Sequence, residues 1–128
     1  MQQFRSGDPT DILVVDDDSM IVEMLIDLLT FEGYAARGAC NGREALDMIT
    51  ARRPAVLLLD LHMPVMDGAE LIHTLSQTAF ADLPIIIITA LPADAQRIAH
   101  RHTVAWMTKP LDIDALLARL ATALGGDG

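Results

Sequence analysis

The chain has 128 residues and a formal net charge of −9, which fits one domain of about 100–150 residues and argues against binding to a nucleic-acid backbone. Its longest apolar runs fall far short of the ~20 residues that a membrane span needs, and the N-terminus shows no signal-peptide pattern. The single cysteine, Cys40, excludes an internal disulfide and suits a reducing compartment, so we expect a cytoplasmic protein that binds no membrane.

Five short apolar segments are predicted to be strands. Most are strongly apolar and are typical of strands buried on both faces, whereas the second is weaker and is expected at a sheet edge. Residues 1–10 have no periodicity and are predicted to be a flexible lead-in, and Gly125–Gly128 are predicted to be a tail or linker. In chain order the predicted strands are Asp11–Asp16, Tyr34–Ala39, Val56–Asp60, Ile85–Thr89 and Val104–Thr108.

Helical patterns follow each of these strands. The first includes Met20, Met24 and Phe31 and stops at Gly33, and its methionines are interpreted as core residues. Asp18, just before this helix, is interpreted as its N-cap. The other helices are predicted from the turn at Asn41-Gly42 to Pro54, over about Asp67–Thr78, after Pro92, and through Ile113, Leu116, Leu117 and Leu120.

This alternation predicts an α/β fold with a parallel sheet and helices on both faces. Right-handed crossovers bring the carboxyl ends of parallel strands to one edge of the sheet, which is where ligands bind in such folds. The residues predicted at that edge are Asp16, Asp17, Asp60, Thr89 and Lys109.

The residue types at this edge indicate a cation site. Carboxylates that converge in one cleft repel each other, so that either a proton or a cation must bind. An acidic site lined by oxygen atoms and open to water suits Mg²⁺, which keeps several waters and takes one or two carboxylates. Lys109 is the only lysine of the chain among eight arginines, which indicates that its position needs a compact ammonium.

The motifs around these residues resemble the receiver domain of bacterial response regulators, over about residues 11–124. The resemblance implies a flavodoxin-like fold, a single doubly wound five-stranded parallel sheet in the order 2-1-3-4-5 with five helices. The motifs that carry it are Asp16-Asp17, Asp60 with Met63-Pro64 and Asp67-Gly68, Thr89-Ala90, and Lys109-Pro110.

The resemblance implies that Asp60 accepts a phosphoryl group from a sensor histidine kinase or a histidine phosphotransfer protein, in a Mg²⁺-dependent reaction. Asp17, Asp60 and the main-chain carbonyl of His62 would ligate the metal, and Asp16 would act mainly through water. Lys109 would offer a point charge to the phosphoryl oxygens. The Lys109-Pro110 bond is expected to be cis.

The resemblance also implies a switch rather than an enzyme, with at most self-phosphorylation from small phosphodonors and self-dephosphorylation. Thr89 would offer a hydroxyl to the phosphoryl group, and Trp106 would move in response. The family usually has Tyr or Phe where this chain has Trp106, so we expect the larger indole to be only partly inserted. The fourth helix, fifth strand and fifth helix would then form the surface that binds a partner protein or, in a homodimer, a second copy of the chain.

Three other functions were weighed against this one. A haloacid-dehalogenase-type aspartyl-phosphate phosphatase needs an acid two residues after its nucleophile, where this chain has His62. A flavodoxin-like electron carrier would meet repulsion between Asp16-Asp17-Asp18 and the flavin phosphate. A binding module with an inactive site would lack one of the hallmark residues, and none is missing. The downstream effector or fused output domain is left open.

Overall fold

The computed structural model describes residues 10–99 and 102–125. Within these ranges strands and helices alternate along the chain. The strands are β1 (Asp11–Val15), β2 (Ala35–Ala39), β3 (Val56–Asp60), β4 (Ile85–Thr89) and β5 (Thr103–Thr108). The helices are α1 (Ser19–Phe31), α2 (Gly42–Ala51), α3 (Gly68–Ser76), α4 (Pro92–Ile98) and α5 (Ile113–Ala123).

All strands pair in parallel, in the order β2-β1-β3-β4-β5, so the predicted fold class and strand order are confirmed. One face of the sheet packs against α2, α3 and α4, and the other packs against α1 and α5. The central strands β1, β3 and β4 are buried along their whole length, as their continuous apolar runs predicted. No helix of the described residues is long and apolar enough to cross a membrane.

Side chains of Asp and Asn define where most helices begin. Asp18 accepts hydrogen bonds from the backbone N–H groups of Met20 and Ile21, which confirms that it is the N-cap of α1. Asp67 and Glu70 form a reciprocal capping box at the start of α3. The exception is α4, whose N-cap residue makes no side-chain hydrogen bond.

The interpretation of the α1 methionines as core residues is wrong. Met20, Met24 and Phe31 are 78%, 52% and 86% exposed. The helix is apolar around most of its circumference, so spacing alone did not identify its buried side. The sheet decides this, because α1 packs against it through Val22, Leu25 and Leu29.

The other differences lie at the ends of elements. Helix α2 ends at Ala51, before the predicted stop at Pro54, and α3 ends at Ser76. Residues 1–9 and 126–128, most of the predicted lead-in and tail, lie outside the described residues. Gly125 is described: it directly follows the C-cap of α5, its N–H donates to the Thr122 carbonyl and its φ is +72°.

Candidate functional site

Two neighbouring strands place three carboxylates at the carboxyl edge of the sheet. Asp60 is the last residue of β3, and Asp16 and Asp17 directly follow β1, which pairs with β3 up to Val15 and Leu59. Asp16 and Asp60 are each only 5% exposed, whereas Asp17 is exposed. One oxygen from each of these three carboxylates lies within 4.8 Å of the other two. The structure therefore brings the predicted acidic residues together.

The only lysine of the chain completes this cluster. The Lys109 Nζ lies 3.2 Å from Asp16 Oδ2 and 3.4 Å from Asp60 Oδ2. The backbone of Lys109 is fixed by its N–H, which donates to the Thr89 carbonyl at 3.0 Å, and the Lys109-Pro110 bond is cis, as expected. The ammonium thus forms ion pairs with two of the carboxylates from the far side of β4.

The pKa values of Asp60 and Lys109 are both raised in the cluster, but for different reasons. Burial raises the pKa of the Asp60 carboxyl above its ordinary value and the nearby Asp16 carboxylate raises it further, against the opposing effect of Lys109. Burial by itself would lower the pKa of the Lys109 ammonium, but the Asp60 and Asp16 carboxylates outweigh it, so its pKa is raised. An additional positive charge at this site would therefore be stabilising.

The donor set fits a hard divalent cation. Carboxylate oxygens are the only side-chain ligands of the cluster, and one of its three carboxylates faces water. This matches the preference of Mg²⁺ for a few carboxylate ligands together with retained water molecules. Asp16 is already engaged on both oxygens, since Oδ1 accepts from the Asp18 N–H at 2.9 Å and Oδ2 contacts Lys109. Asp60 is likewise engaged, by the His62 N–H and by Lys109, whereas the exposed Asp17 is better placed than Asp16 to ligate a metal directly.

His62 has two separate roles in the geometry of the site. Its backbone N–H donates to Asp60 Oδ1 at 3.4 Å. Its imidazole turns to α4, where Nε2 lies 3.1 Å from Asp94 Oδ2. Asp94 is not among the predicted site residues, because no sequence pattern links two residues that are 32 positions apart.

Thr89 ends β4, between the strands that supply Asp60 and Lys109. Its side chain is fully buried, and its hydroxyl oxygen accepts a hydrogen bond from the Leu91 N–H at 3.1 Å. The hydroxyl is thus hydrogen-bonded to the N-cap residue of α4. This gives Thr89 a physical connection to that helix.

Trp106 lies apart from the acidic cluster, on β5, where it pairs in register with Ile87. Its side chain is 41% exposed, next to Val104 on the same face at 48%. The reason is the small size of α4, which has seven residues and buries only Ala95. The indole also lines an open cavity of about 290 Å³ with residues of α5.

Comparison with known proteins gives one consistent result. The family model described as "Response regulator receiver domain" matches residues 12–121. The response regulator MprA of Mycolicibacterium vanbaalenii is 42% identical over 118 residues, which are 91% of this chain and 51% of that protein. The chain thus spans about half the length of the curated relatives that it matches.

Solved structures agree with this assignment. The Francisella response regulator 1452 receiver domain superimposes with a TM-score of 0.81 at 27% identity, covering 91% of this chain and 97% of that one. The response regulator TrrA of Thermotoga maritima, solved in complex with Mg²⁺-BeF, superimposes with a TM-score of 0.80 at 29% identity, covering 89% and 98%. Both resemble this chain over nearly their whole length.

Proposed function

This chain belongs to the response regulator receiver domain family, and from that premise we propose that Asp60 is its phosphoacceptor. Receiver domains are signalling switches of two-component systems. The observation that carries the assignment to Asp60 is its position, a buried carboxylate at a strand end between the Asp16 carboxylate and the Lys109 ammonium. The alternative of a haloacid-dehalogenase-type phosphatase has no support, because the family model and the relatives all point to receivers.

The proposed reaction is a phosphoryl transfer from a phosphohistidine. An oxygen of Asp60 forms a bond to phosphorus while the phosphorus–nitrogen bond breaks, and the released imidazole nitrogen keeps the electron pair. The product is an acyl phosphate on Asp60. The Lys109 ammonium, 3.4 Å from the Asp60 carboxylate, is positioned to stabilise charge on the transferred oxygens.

We further propose that the acidic cluster holds Mg²⁺. Asp17, Asp60 and the main-chain carbonyl of His62 would be its protein ligands, and Asp16 would act through a bound water. When bound, the ion supplies positive charge that offsets the charge of the incoming phosphoryl group. Support comes from the three carboxylates that converge within 4.8 Å and from the related TrrA structure in complex with Mg²⁺-BeF.

The proposed output runs through Thr89 and Trp106. The Thr89 hydroxyl would leave Leu91 for the phosphoryl group, which changes the start of α4, and the half-exposed Trp106 would respond on the neighbouring strand. The surface formed by α4, β5 and α5 would then bind a partner protein or a second copy of the chain. Its apolar content, Val104 and Trp106 on an open strand face, supports this assignment.

The wider setting is also a proposal. A sensor histidine kinase or a histidine phosphotransfer protein would supply the phosphoryl group. Forming an acyl phosphate on Asp60 requires a donor whose own bond to phosphorus breaks readily, as the phosphorus–nitrogen bond of phosphohistidine does. The effector is either a separate protein or an output domain fused to the receiver, and this chain covers only about half the length of its relatives. We place the protein in the bacterial cytoplasm, in line with its bacterial response-regulator relatives and its single exposed cysteine.

The test is phosphorylation by acetyl phosphate in the presence of Mg²⁺, followed by intact-mass spectrometry. We expect one phosphoryl group on the parent protein and none on Asp60→Asn. Asp82→Asn, which alters an exposed aspartate paired with Arg53, is the control and should be modified like the parent. Equal modification of Asp60→Asn and the parent would contradict the assignment.

A further inference from the structure

Two residues of the phosphorylation site hold the first turn of α4. The Thr89 hydroxyl accepts a hydrogen bond from the Leu91 N–H at 3.1 Å, and the His62 imidazole Nε2 lies 3.1 Å from Asp94 Oδ2. Leu91 is the N-cap of α4, and Asp94 lies in its first turn. The two contacts therefore reach the same end of one helix, one from the last residue of β4 and the other from the loop after β3.

This helix has little else to hold it. It contains seven residues and has no side-chain hydrogen bond at its N-cap. Only Ala95 is fully buried, and Ile98 packs partly buried against the core. Hydrophobic burial supplies most of the stability of an ordinary helix in a protein, so polar contacts carry a larger share here. Loss of the His62–Asp94 contact would accordingly loosen the first turn of α4.

Asp94 is the fixed member of this contact and His62 is the movable one. The Asp94 side chain is 19% exposed, and its second oxygen is held by Arg97 at 2.6 Å. The His62 side chain is 56% exposed and contacts Asp94 through one ring nitrogen. The imidazole can therefore turn away into solvent, while Asp94 keeps an ionic partner on its own helix.

The same imidazole belongs to the residue whose backbone N–H donates to the Asp60 carboxylate at 3.4 Å. A phosphoryl group on Asp60 adds anionic oxygens next to this residue, and these compete with the Asp94 carboxylate for the imidazole N–H. We propose that Asp94 is a positioning residue that holds His62 away from the phosphoryl group, and that transfer of His62 from Asp94 to a phosphoryl oxygen releases the first turn of α4. This inference rests on the proposed phosphorylation of Asp60.

The position of His62 then affects how long the acyl phosphate lasts. In hydrolysis a water oxygen bonds to phosphorus while the bond from phosphorus to the Asp60 oxygen breaks. The carboxylate leaves with the electron pair, and the protons of the water pass to phosphate and solvent. An imidazole seated on the phosphoryl oxygens obstructs this approach, so that Asp94, by retaining His62, shortens the lifetime of the modified state.

A double-mutant cycle tests this competition. The half-life of the acyl phosphate is measured by intact mass after removal of acetyl phosphate, for the parent, Asp94→Ala, His62→Ala and the double variant. We expect Asp94→Ala to lengthen the half-life about threefold to tenfold, the range of one hydrogen bond. The double variant should match His62→Ala, because Asp94 acts only through the imidazole.

Asp47→Ala, which removes an exposed helical aspartate remote from the site, is the matched control and should decay like the parent. If Asp94→Ala changed the half-life of the acyl phosphate equally in the parent and in His62→Ala, the effect would be unrelated to the imidazole, and the inference would be overturned. An unchanged half-life in Asp94→Ala would also overturn it. If Asp60 takes no phosphoryl group even in the parent, the proposed function fails first, and the inference fails with it.

Hydrogen exchange gives a second readout that does not depend on turnover. Amides of residues 93–98 should exchange faster in unmodified Asp94→Ala than in the parent. Beryllofluoride with Mg²⁺ should bring the parent toward the same rate, because it places an anionic group on Asp60. If hydrogen exchange in α4 changed neither in Asp94→Ala nor on addition of beryllofluoride, the contact between His62 and Asp94 would not hold this helix.

Discussion

The ammonium of Lys109 lies 3.4 Å from the carboxylate of Asp60, although their strands are separated by β4. The long lysine side chain spans the edge of the intervening strand. Two carboxylates share this one cation, since Asp16 lies 3.2 Å from it on the other side. The relationship makes Lys109 both the counter-ion of the acidic cluster and a competitor of any metal ion.

Replacement of Lys109 by Met should separate metal binding from phosphorylation. Without the ammonium, no neighbouring positive charge repels a divalent cation bound at the carboxylates, so we expect Mg²⁺ to bind about fivefold more tightly in calorimetric titration. Phosphorylation by acetyl phosphate should slow at least about tenfold, because one charge that stabilises the transferred oxygens is lost. Arg53→Met removes a remote surface cation and should change neither quantity. Unchanged Mg²⁺ affinity in Lys109→Met would contradict this account.

Asp60→Asn should make the metal-free protein more stable at neutral pH. A carboxyl whose pKa is raised in the folded state stabilises that state below its unfolded value of 3.8 and loses this contribution as the pH rises through the folded pKa. The ionised, buried Asp60 is therefore unfavourable at pH 7, and the amide is not.

Urea denaturation at several pH values without Mg²⁺ measures this difference. The advantage of Asp60→Asn should be largest near pH 7 and shrink toward pH 3.8. Asp82→Asn is a suitable contrast. The hydrogen bond from Arg53 lowers the pKa of Asp82, so removing the charge of this carboxylate should bring no stabilisation. A variant less stable than the parent at pH 7 would show that burial of Asp60 is not unfavourable.

Trp106 should report the switch by its fluorescence. It is the sole tryptophan and is 41% exposed, so a change in its insertion alters its emission. Beryllofluoride with Mg²⁺ should shift the emission of the parent but not that of Thr89→Ala. Iodide should still quench the activated parent, because the large indole stays partly exposed. Equal shifts in the parent and in Thr89→Ala would show that Trp106 is not coupled through Thr89.

Val65 should be a site where a substitution stabilises the protein. It lies in the loop after β3 with a φ of +70° and is 78% exposed, a backbone conformation that a β-branched residue adopts at a cost. Asn tolerates this conformation, so Val65→Asn should raise the free energy of unfolding by about 1 kcal/mol. Val104→Asn, at an exposed position of β5 where the pairing with β4 is irregular but φ is not positive, should lower it, because strands favour Val. A change of the same sign in the free energy of unfolding of both variants would contradict the role given to the positive φ of Val65.

The ion pair of Asp11 and Arg37 should respond asymmetrically to substitution. Asp11 is 1% exposed and is held by two hydrogen bonds from Arg37, at 3.0 and 2.7 Å. Arg37→Met leaves the buried carboxylate of Asp11 with Arg52, at 3.6 Å, as its remaining ion-pair partner among the described residues, and should cost about 3 kcal/mol of stability. Asp11→Asn should cost less, because Arg37 can reach water and still donates to the Arg52 carbonyl.

Chemical denaturation measures both variants. Arg43→Met, which breaks an exposed pair with Asp47 at 4.0 Å, should change stability by less than about 0.5 kcal/mol and serves as the control. If Arg37→Met lowered the stability by no more than this control does, the buried carboxylate of Asp11 would not depend on Arg37.

The sequence by itself determined the order of strands and helices, the parallel sheet and the edge at which the chemistry lies. The reason is that Val56–Asp60 and the other apolar runs are short, continuous and end in polar residues, and right-handed crossovers bring the carboxyl ends of such strands to one edge. Asp16, Asp17, Asp60, Thr89 and Lys109 were predicted at that edge from the strand ends, and the resemblance added the strand order. The structure places the three aspartates and Lys109 in one cluster.

Only the tertiary structure decided which faces and partners these elements use. An apolar helix does not encode which of its sides meets the sheet, so the exposure of Met20 and Met24 could not be predicted from spacing. The contact between His62 and Asp94 joins residues whose separation along the chain carries no signal. Such contacts depend on how a short helix docks on the sheet, which is set by the packing of all the neighbouring elements together.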